Sequence, residues 1–363
     1  MTYPLPPNAS RRGIMLTALL LAGALAPFPA FSARPAPTVI TLGNKVDIEG
    51  DGATAAAGHV QITAGGVYEV SGELADGQIE VDAPDADVEV ILAGATIVSS
   101  DGPAILFRDA GSAALTLAPG TENRVEDGGD TDFDAAIAAN LSLTIGGDGA
   151  LEVRGIQNEG IASSMHLTFT GGDIHVWAVE DGVNANNDDV SEITITGGTL
   201  VVETETGDGI DSNGTITITG GDVTTLGAMA DRNGGLDADG AITIDGGKVI
   251  ATGARQPAPA EASLQQSLLL QFDQTQDADT LIVIQDPSGN DLFVFAPATP
   301  FRQLLVSDPV ISPGETYSVY LGGTAEGDAV DGRYAAASNS GEFAGTVTTA
   351  SLDVARQERG PGR

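Results

Sequence analysis

A run of alternating apolar and polar residues that ends in glycine recurs along most of the chain. The intervals between the glycines that end successive runs are 26, 26, 25, 26, 23 and 26 residues, and these glycines are Gly94, Gly120, Gly146, Gly171, Gly197, Gly220 and Gly246. A fixed period of roughly 20 to 50 residues is the signature of a repeat architecture, in which stacked units share one continuous core. The repeat therefore predicts a domain that elongates by stacking.

Each repeat contains three short segments. After the glycine comes a second alternation, such as TLVVETE at residues 199–205, and then an acidic turn with a short third segment, such as GIDSNG. Strict alternation is typical of strands with one buried face, and it places Ile193, Ile195, Leu200 and Val202 inside. The units run in one direction without hairpin signals, which predicts an all-β fold with a parallel β-helix over residues 38–253 and coils of about 22–26 residues. The alternative, a β-sandwich, would have variable strand spacing and hairpin pairing.

The repeat stops after Gly253, and the remaining chain divides into three parts. ARQPAPAEAS at residues 254–263 is typical of a linker. Residues 264–323 contain SLLLQFD, TLIVIQD and TYSVYLGG, which predict a small β-rich unit that caps the open end of the helix. Residues 324–363 are rich in glycine, alanine and serine and predict a mobile tail.

The first 33 residues have the pattern of a signal peptide. Arg11 and Arg12 precede an apolar run, and small residues follow at Ala30, Ser32 and Ala33. The arginine pair also fits the twin-arginine type of signal. We therefore expect the protein to be exported to the periplasm or the extracellular space.

The charge of the chain restricts its partners. There are 51 acidic and 15 basic residues among 363, which gives a net charge of −36, and there is no cysteine. Such a surface repels nucleic acid and anionic lipid and attracts cations. The sequence offers no second apolar span, so we expect no membrane span and no nucleic-acid partner, and it does not indicate an oligomeric state.

The acidic turns align in three columns when the buried residues Val183, Ile210 and Leu236 are superimposed. Stacked strands lie about 4.8 Å apart, so an ion between two coils could bind oxygens from both. The hypothesis is that calcium binds here, and the candidate ligands and neighbours are Asp181, Asn184, Asn186, Asp208, Asp211, Asn213, Asp237 and Asp239. The alternative is a structural ladder in which Asn and Asp cap turn backbone.

A single tryptophan lies in the strand-like segment DIHVWAVE. Alternation turns His175 and Trp177 outward, and Arg154 and Glu203 occupy roughly matching positions on the adjacent coils. Such a group can form a sugar-stacking platform, with Arg232 as the base nearest the acidic turns. The alternative is that Trp177 only covers the side of the helix.

These motifs resemble a known family. The ITITGG turns, the DGI segments and the C-terminal SPGETYSVYLGG, in that order, are similar to secreted carbohydrate-binding β-helix proteins typified by a polygalacturonate- and cellulose-binding member. The resemblance spans about residues 38–323. It implies a right-handed parallel β-helix, calcium at the turns, and affinity for an acidic polysaccharide without catalysis.

Two other functions remain open at this stage. The first is a pectate-lyase-like β-elimination of polyuronate, which needs calcium and a base close to it; Arg232, Lys248 and Arg255 are the bases near the acidic turns. The second is a structural or adhesive surface module. An enzyme is the less favoured interpretation, because a stacked acidic ladder creates carboxylate pairs by chance.

Overall fold

The computed structural model describes residues 36–349 apart from 130–132, 134, 189 and 231. The predicted signal peptide, residues 1–33, lies outside the described residues, and so do residues 350–363. The described residues form strands, turns and loops without a helix. No helix among them could cross a membrane.

The repeat builds a β-solenoid of about eight turns, which confirms the predicted fold class. Its strands lie on three faces, which we call the first, second and third faces in the order of each coil. The first face contains β1 (Thr38–Leu42), β5 (Gly66–Leu74), the middle of β6 (Gln78–Val98), the end of β7 (Ile105–Leu117), β10 (Leu143–Gly147), β13 (His166–Phe169), β16 (Glu192–Ile195), β19 (Thr215–Ile218) and β22 (Ile242–Ile244).

The other two faces follow the same order. The second face contains the end of β6, β8 (Glu122–Glu126), β11 (Ala150–Gly155), β14 (Asp173–Ala178), β17 (Thr199–Thr204), β20 (Asp222–Leu226) and β23 (Lys248–Gly253). The third face contains β4 (His59–Ile62), the starts of β6 and β7, β9 (Ala135–Ala139), β12 (Glu159–Ser163), β15 (Val183–Ala185), β18 (Ile210–Ser212) and β21 (Leu236–Ala238).

The core is a set of inward columns. Parallel pairing places Ile195 between Phe169 and Ile218 in neighbouring coils, and these side chains are buried. The third face adds Val183, Ile210 and Leu236 in the same way. Because each coil stacks like on like, one apolar column per inward position fills the solenoid, and the predicted inward residues belong to one cluster.

The repeated glycine pair marks the corner between the first and second faces. Gly198 and Gly221 have φ values of 83° and 88°, which L-residues with a side chain rarely adopt. A β-carbon on Gly198 would also lie 2.6 Å from the carbonyl oxygen of Gly172 in the preceding coil. The corner therefore needs glycine for both its backbone angles and its close approach.

Both ends of the solenoid are covered by antiparallel strands. At the start, β2 (Asp47–Glu49) pairs with β1, and β3 (Ala53–Ala56) pairs with β4. At the other end, β27 (Phe301–Ser307) pairs with β23 and with β24 (Ser267–Gln276). The predicted linker lies against the last coil, where the side-chain oxygen of Gln256 accepts from the N–H groups of Gly235 and Leu236.

A four-stranded antiparallel sheet completes the C-terminal unit. Its order is β26 (Asp291–Phe295), β25 (Ile282–Gln285), β28 (Thr316–Glu326) and β29 (Ala336–Thr348). Strand β29 falls within the segment that the sequence predicts as a mobile tail, so the described part of that segment is not a tail. Its small and polar residues carry weak apolar alternation, and its pairing with β28 supplies the order.

The inward columns predict that substitutions at two adjacent residues of β19 differ greatly in their effect on the free energy of unfolding. Ile218 is fully buried, so Ile218→Ala should lower the free energy of unfolding by about 2–5 kcal/mol through lost apolar contact and a cavity. Thr217 points outward, and Thr217→Ala should cost at most about 1 kcal/mol. Urea denaturation followed by circular dichroism measures both, and equal losses would contradict the inward assignment of Ile218.

Candidate functional site

Three polar residues of the third face lie in one column. Asn184 is paired with Asp211, and Asp211 with Asp237, in β15, β18 and β21. Asp208 lies just before β18, and one carboxylate oxygen each of Asp208, Asp211 and Asp237 lies within 4.8 Å of the others. We call Asn184, Asp208, Asp211 and Asp237 the acidic cluster. The register is the one that the sequence alignment predicts.

A second column lies two residues before the buried residue of each third-face strand. Its side chains connect the coils through hydrogen bonds. The Oδ1 atom of Asp181 accepts from the backbone N–H of Asp208 at 2.7 Å, and the Oδ1 atom of Asp208 accepts from the N–H of Gly234 at 2.5 Å. These carboxylates therefore have the backbone-capping role of a structural ladder. The Asp208 carboxylate also contributes an oxygen to the acidic cluster.

Asn184 holds an oxygen without a donor. Its Nδ2 atom donates to Glu159 Oε1 at 2.6 Å and to Asp181 Oδ2 at 3.3 Å, which fixes the amide orientation. Its Oδ1 atom is buried without a hydrogen-bond partner, and the residue is only 8% exposed. A buried acceptor needs a hydrogen-bond donor or a cation, and this one belongs to the residue that stacks on Asp211.

Burial and like charges raise the pKa of the carboxyl groups in this region. Burial is the main cause for Asp208 and Asp211, whose pKa values rise to about 7, and neighbouring carboxylates raise them further. The Arg255 charge and the N–H of Gly234 oppose the rise at Asp208. Burial also raises the pKa of Asp181. A cation that removes this repulsion would be bound more tightly than one near isolated surface carboxylates.

The third predicted column lies apart from the acidic cluster. The Nδ2 atom of Asn213 donates to the backbone oxygen of Asn186 at 3.2 Å and to Asp188 Oδ1 at 2.8 Å. The N–H of Asp239 donates to the backbone oxygen of Ser212. Asn186 and Asn213 therefore form an exposed structural ladder, as the alternative interpretation of the sequence proposes for the acidic turns.

A groove of about 610 Å³ follows the second face. Trp177 is paired with Arg154 in the preceding coil and with Glu203 in the next, so the predicted neighbours stand in register. The groove also contains His175. Arg232 lies in the loop between β20 and β21 and is not among the residues that line the groove.

Two arginines and two glutamates alternate on the second face beside Trp177, and of these Arg124 and Glu152 line the groove. Arg124 Nη2 lies 2.6 Å from Glu126 Oε2, and Arg154 lies 3.7 Å from Glu126 and 3.6 Å from Glu152. The sequence analysis missed Arg124, Glu126 and Glu152. Glu152 is the preceding outward position on the strand of Arg154, and counting back one coil from Glu152 and Arg154 would have identified Arg124 and Glu126.

The indole of Trp177 is not an open platform on both sides. The Arg154 guanidinium lies over the ring, 5.0 Å from its centroid, in a cation–π arrangement. Burial raises the pKa of Glu203 on the other neighbouring strand. Only the part of the indole that Arg154 leaves uncovered is open for stacking, so the predicted sugar-stacking platform at Trp177 stays a prediction.

The fold is therefore a β-solenoid whose second face carries a groove with alternating donors and acceptors beside a tryptophan. The comparison with known families gives the particular class. The chain belongs to the family of carbohydrate-binding domain-containing proteins, whose model matches residues 56–285. The matched residues cover most of the solenoid and the start of the C-terminal unit.

Two proteins are similar to parts of this chain. A carbohydrate-binding domain-containing protein of Acetivibrio thermocellus is 34% identical over 137 residues, which cover 35% of this chain and 48% of the relative. The chain thus matches about half the length of this curated relative. A solved structure, of the polysaccharide lyase-like protein from C. thermocellum in a gadolinium derivative, has a TM-score of 0.50 and 27% identity and covers 62% of this chain and 98% of that one.

The raised pKa values predict a stability that falls with pH. In chelator, Asp208 and Asp211 hold protons up to about pH 7 in the folded state, whereas ordinary carboxyls lose them near pH 4. The folded protein therefore binds more protons between these values, and stability decreases as the pH rises through that window. The melting temperature should fall relative to Asp208→Asn/Asp211→Asn between about pH 4 and 7 and then run parallel. Curves parallel throughout would contradict the prediction.

Proposed function

We propose that this protein is exported, binds calcium at the acidic cluster and uses the ion to bind an acidic polysaccharide, without catalysis. The observation that carries the proposal is the combination of three converging carboxylates with the unpartnered Oδ1 of Asn184. These atoms come from three successive coils, so one ion between them would also join those coils. The N-terminal pattern of residues 1–33 supports export.

The chemistry of the cluster favours calcium. All of its side-chain donors to a metal are oxygens, and the chain has no cysteine, which disfavours zinc and copper. Calcium accepts six to eight oxygens at about 2.3–2.6 Å in flexible geometry, whereas magnesium needs a near-ideal octahedron at about 2.0–2.1 Å. Oxygens separated by the spacing of stacked coils suit the larger ion.

A bound ion would also explain how so acidic a protein holds an acidic chain. The cluster residues Asp208, Asp211 and Asp237 are only partly buried, so a ligand can reach an ion from solvent. A uronate carboxylate could complete its coordination, since calcium binds carboxylates from any source. Without the ion, a net charge of −36 repels a polyanion at long range.

Thermal unfolding tests the ion site. Calcium at a hundred times its dissociation constant should add about 2.7 kcal/mol to the stability, seen as a rise in melting temperature that excess magnesium does not reproduce. Asp208→Asn/Asp211→Asn should abolish the rise. The control is Asp273→Asn/Asp277→Asn, which removes the same charge from exposed positions of the C-terminal unit. A rise that persists in the cluster variant would exclude this site.

Binding to immobilised polygalacturonate tests the acidic ligand. Retention should require calcium and should fall at least tenfold in Asp208→Asn/Asp211→Asn, because about 1.4 kcal/mol of lost contact gives that factor. Asp273→Asn/Asp277→Asn should retain binding. Retention in chelator equal to that in calcium would contradict a bridging ion.

A polyuronate lyase is the second candidate, and Arg255 is the observation that favours it. Its charge acts on Asp208, so a base lies near the proposed ion, as β-elimination requires. Incubation with polygalacturonate and calcium would release unsaturated products that absorb in the ultraviolet, and Arg255→Ala would stop their release. Binding without such products supports the non-catalytic proposal. Retention of cells or proteins that no glycan displaces would instead indicate an adhesive module.

A further inference from the structure

The C-terminal unit contains a rigid turn beside the second-face groove. Val330 and Arg333 exchange backbone hydrogen bonds, at 2.9 Å from the Val330 N–H and 2.8 Å from the Arg333 N–H. Between them Asp331 and Gly332 have φ values of 50° and 74°. Two residues with positive φ between paired positions, with the sequence Asp-Gly, are typical of a type I′ hairpin turn. The N–H of Ala296 also donates to Gly332 at 2.8 Å, so this turn is tied to β26.

Arg333 fixes the turn to the solenoid. Its Nη2 atom lies 2.5 Å from Asp222 Oδ1 and donates to Thr224 Oγ1 at 2.8 Å. Both partners belong to β20, which pairs with β17, and Val201 and Glu203 of β17 line one end of the groove. A guanidinium held by several oxygens has little freedom, so the turn stands at a defined height over the second face.

The turn brings one more carboxylate to the groove. Asp331 Oδ1 lies 3.8 Å from Nε2 of His175, and His175 lies 3.3 Å from Asp173 on its own strand. The neighbouring Val330 is 71% exposed. The side chains of Asp331 and Val330 therefore stand where a ligand on the His175 end of the groove would pass.

We propose that this turn, residues 330–333, is a wall of the glycan site and that Asp331 is a specificity-determining residue which excludes anionic chains from the groove. The inference rests on the proposed function as a polysaccharide-binding protein, and it takes the groove beside Trp177 as a second contact surface for the glycan. It adds a residue of the C-terminal unit to the glycan-binding surface, and it assigns acidic chains to the acidic cluster on the third face. The groove itself then takes uncharged stretches of polysaccharide.

The charges of the groove support this selectivity. Four carboxylates line it, those of Glu122, Glu152, Asp173 and Glu203, against the single guanidinium of Arg124. Arg124 and the adjacent Arg154 are already paired with glutamates, so neither offers an unopposed positive charge. Asp331 adds a fifth negative group from the turn over the second face. An anionic ligand in the groove would have to approach this carboxylate, and repulsion between like charges is an effective means of rejecting a wrong ligand.

The test uses two forms of one polymer in chelator, so that the acidic cluster holds no calcium. Polygalacturonate is the charged form, and its highly methyl-esterified form has the same backbone without the charges. The wild-type protein should retain the esterified form only. Asp331→Asn should raise affinity for the charged form about fivefold, the factor for one like charge removed at about 4 Å in water, and should leave binding of the esterified form unchanged.

A matched control and one further variant separate the possible failures. Asp328→Asn removes the same charge from an exposed position of the same loop and should change neither affinity. Trp177→Ala should abolish binding of the esterified form. If Trp177→Ala abolishes binding of the esterified form but Asp331→Asn leaves both affinities unchanged, the proposed role of the turn is wrong, and the groove is still a glycan site. If the wild type binds neither form in chelator, the groove is not a glycan site, and the inference falls with it while the calcium cluster is tested by its own experiment.

Discussion

The parallel hydrogen-bonded register between successive coils is the constraint on which the rest of this molecule depends. At a spacing of about 4.8 Å, every residue lies over its counterpart in the next coil, so the sequence of one position read coil by coil becomes a column on the surface or in the core. Inward columns of isoleucine, leucine and valine then exclude water as a group. A single isolated coil would expose its apolar residues to water. Stability therefore comes from the stacking of neighbouring coils and not from individual turns.

The same register also places similar outward residues next to one another, which is unfavourable when they carry the same charge. Asp211 lies over Asp237, and burial, with added repulsion from neighbouring carboxylates, raises the pKa of Asp211 to about 7. The second face meets the same difficulty differently, since Arg124, Glu126, Glu152 and Arg154 alternate in sign along and across the strands. These four residues of the second face therefore neutralise one another, whereas the acidic cluster of the third face keeps an excess of negative charge that a cation can remove.

What the sequence predicts follows from this periodicity. The register of Asn184, Asp211 and Asp237, and the placement of Trp177 between Arg154 and Glu203, could be read from spacing because the repeat fixes both. The free oxygen of Asn184 could not, since it depends on which way an amide is turned by Glu159 and Asp181. The strand β29 was missed because its residues carry little apolar alternation, and its order comes from a partner distant in sequence.

Functional asymmetry enters where the repeat is interrupted. A uniform solenoid would present the same groove along its whole length, without a beginning or an end. The C-terminal unit covers the open edge through β27, buries Leu226 and Ile250 of the last second-face strands, and so limits the groove to the coils before β20. Its contact through Arg333 then joins residues more than a hundred positions apart. The element that protects the sheet edge from further pairing therefore also sets one boundary of the groove.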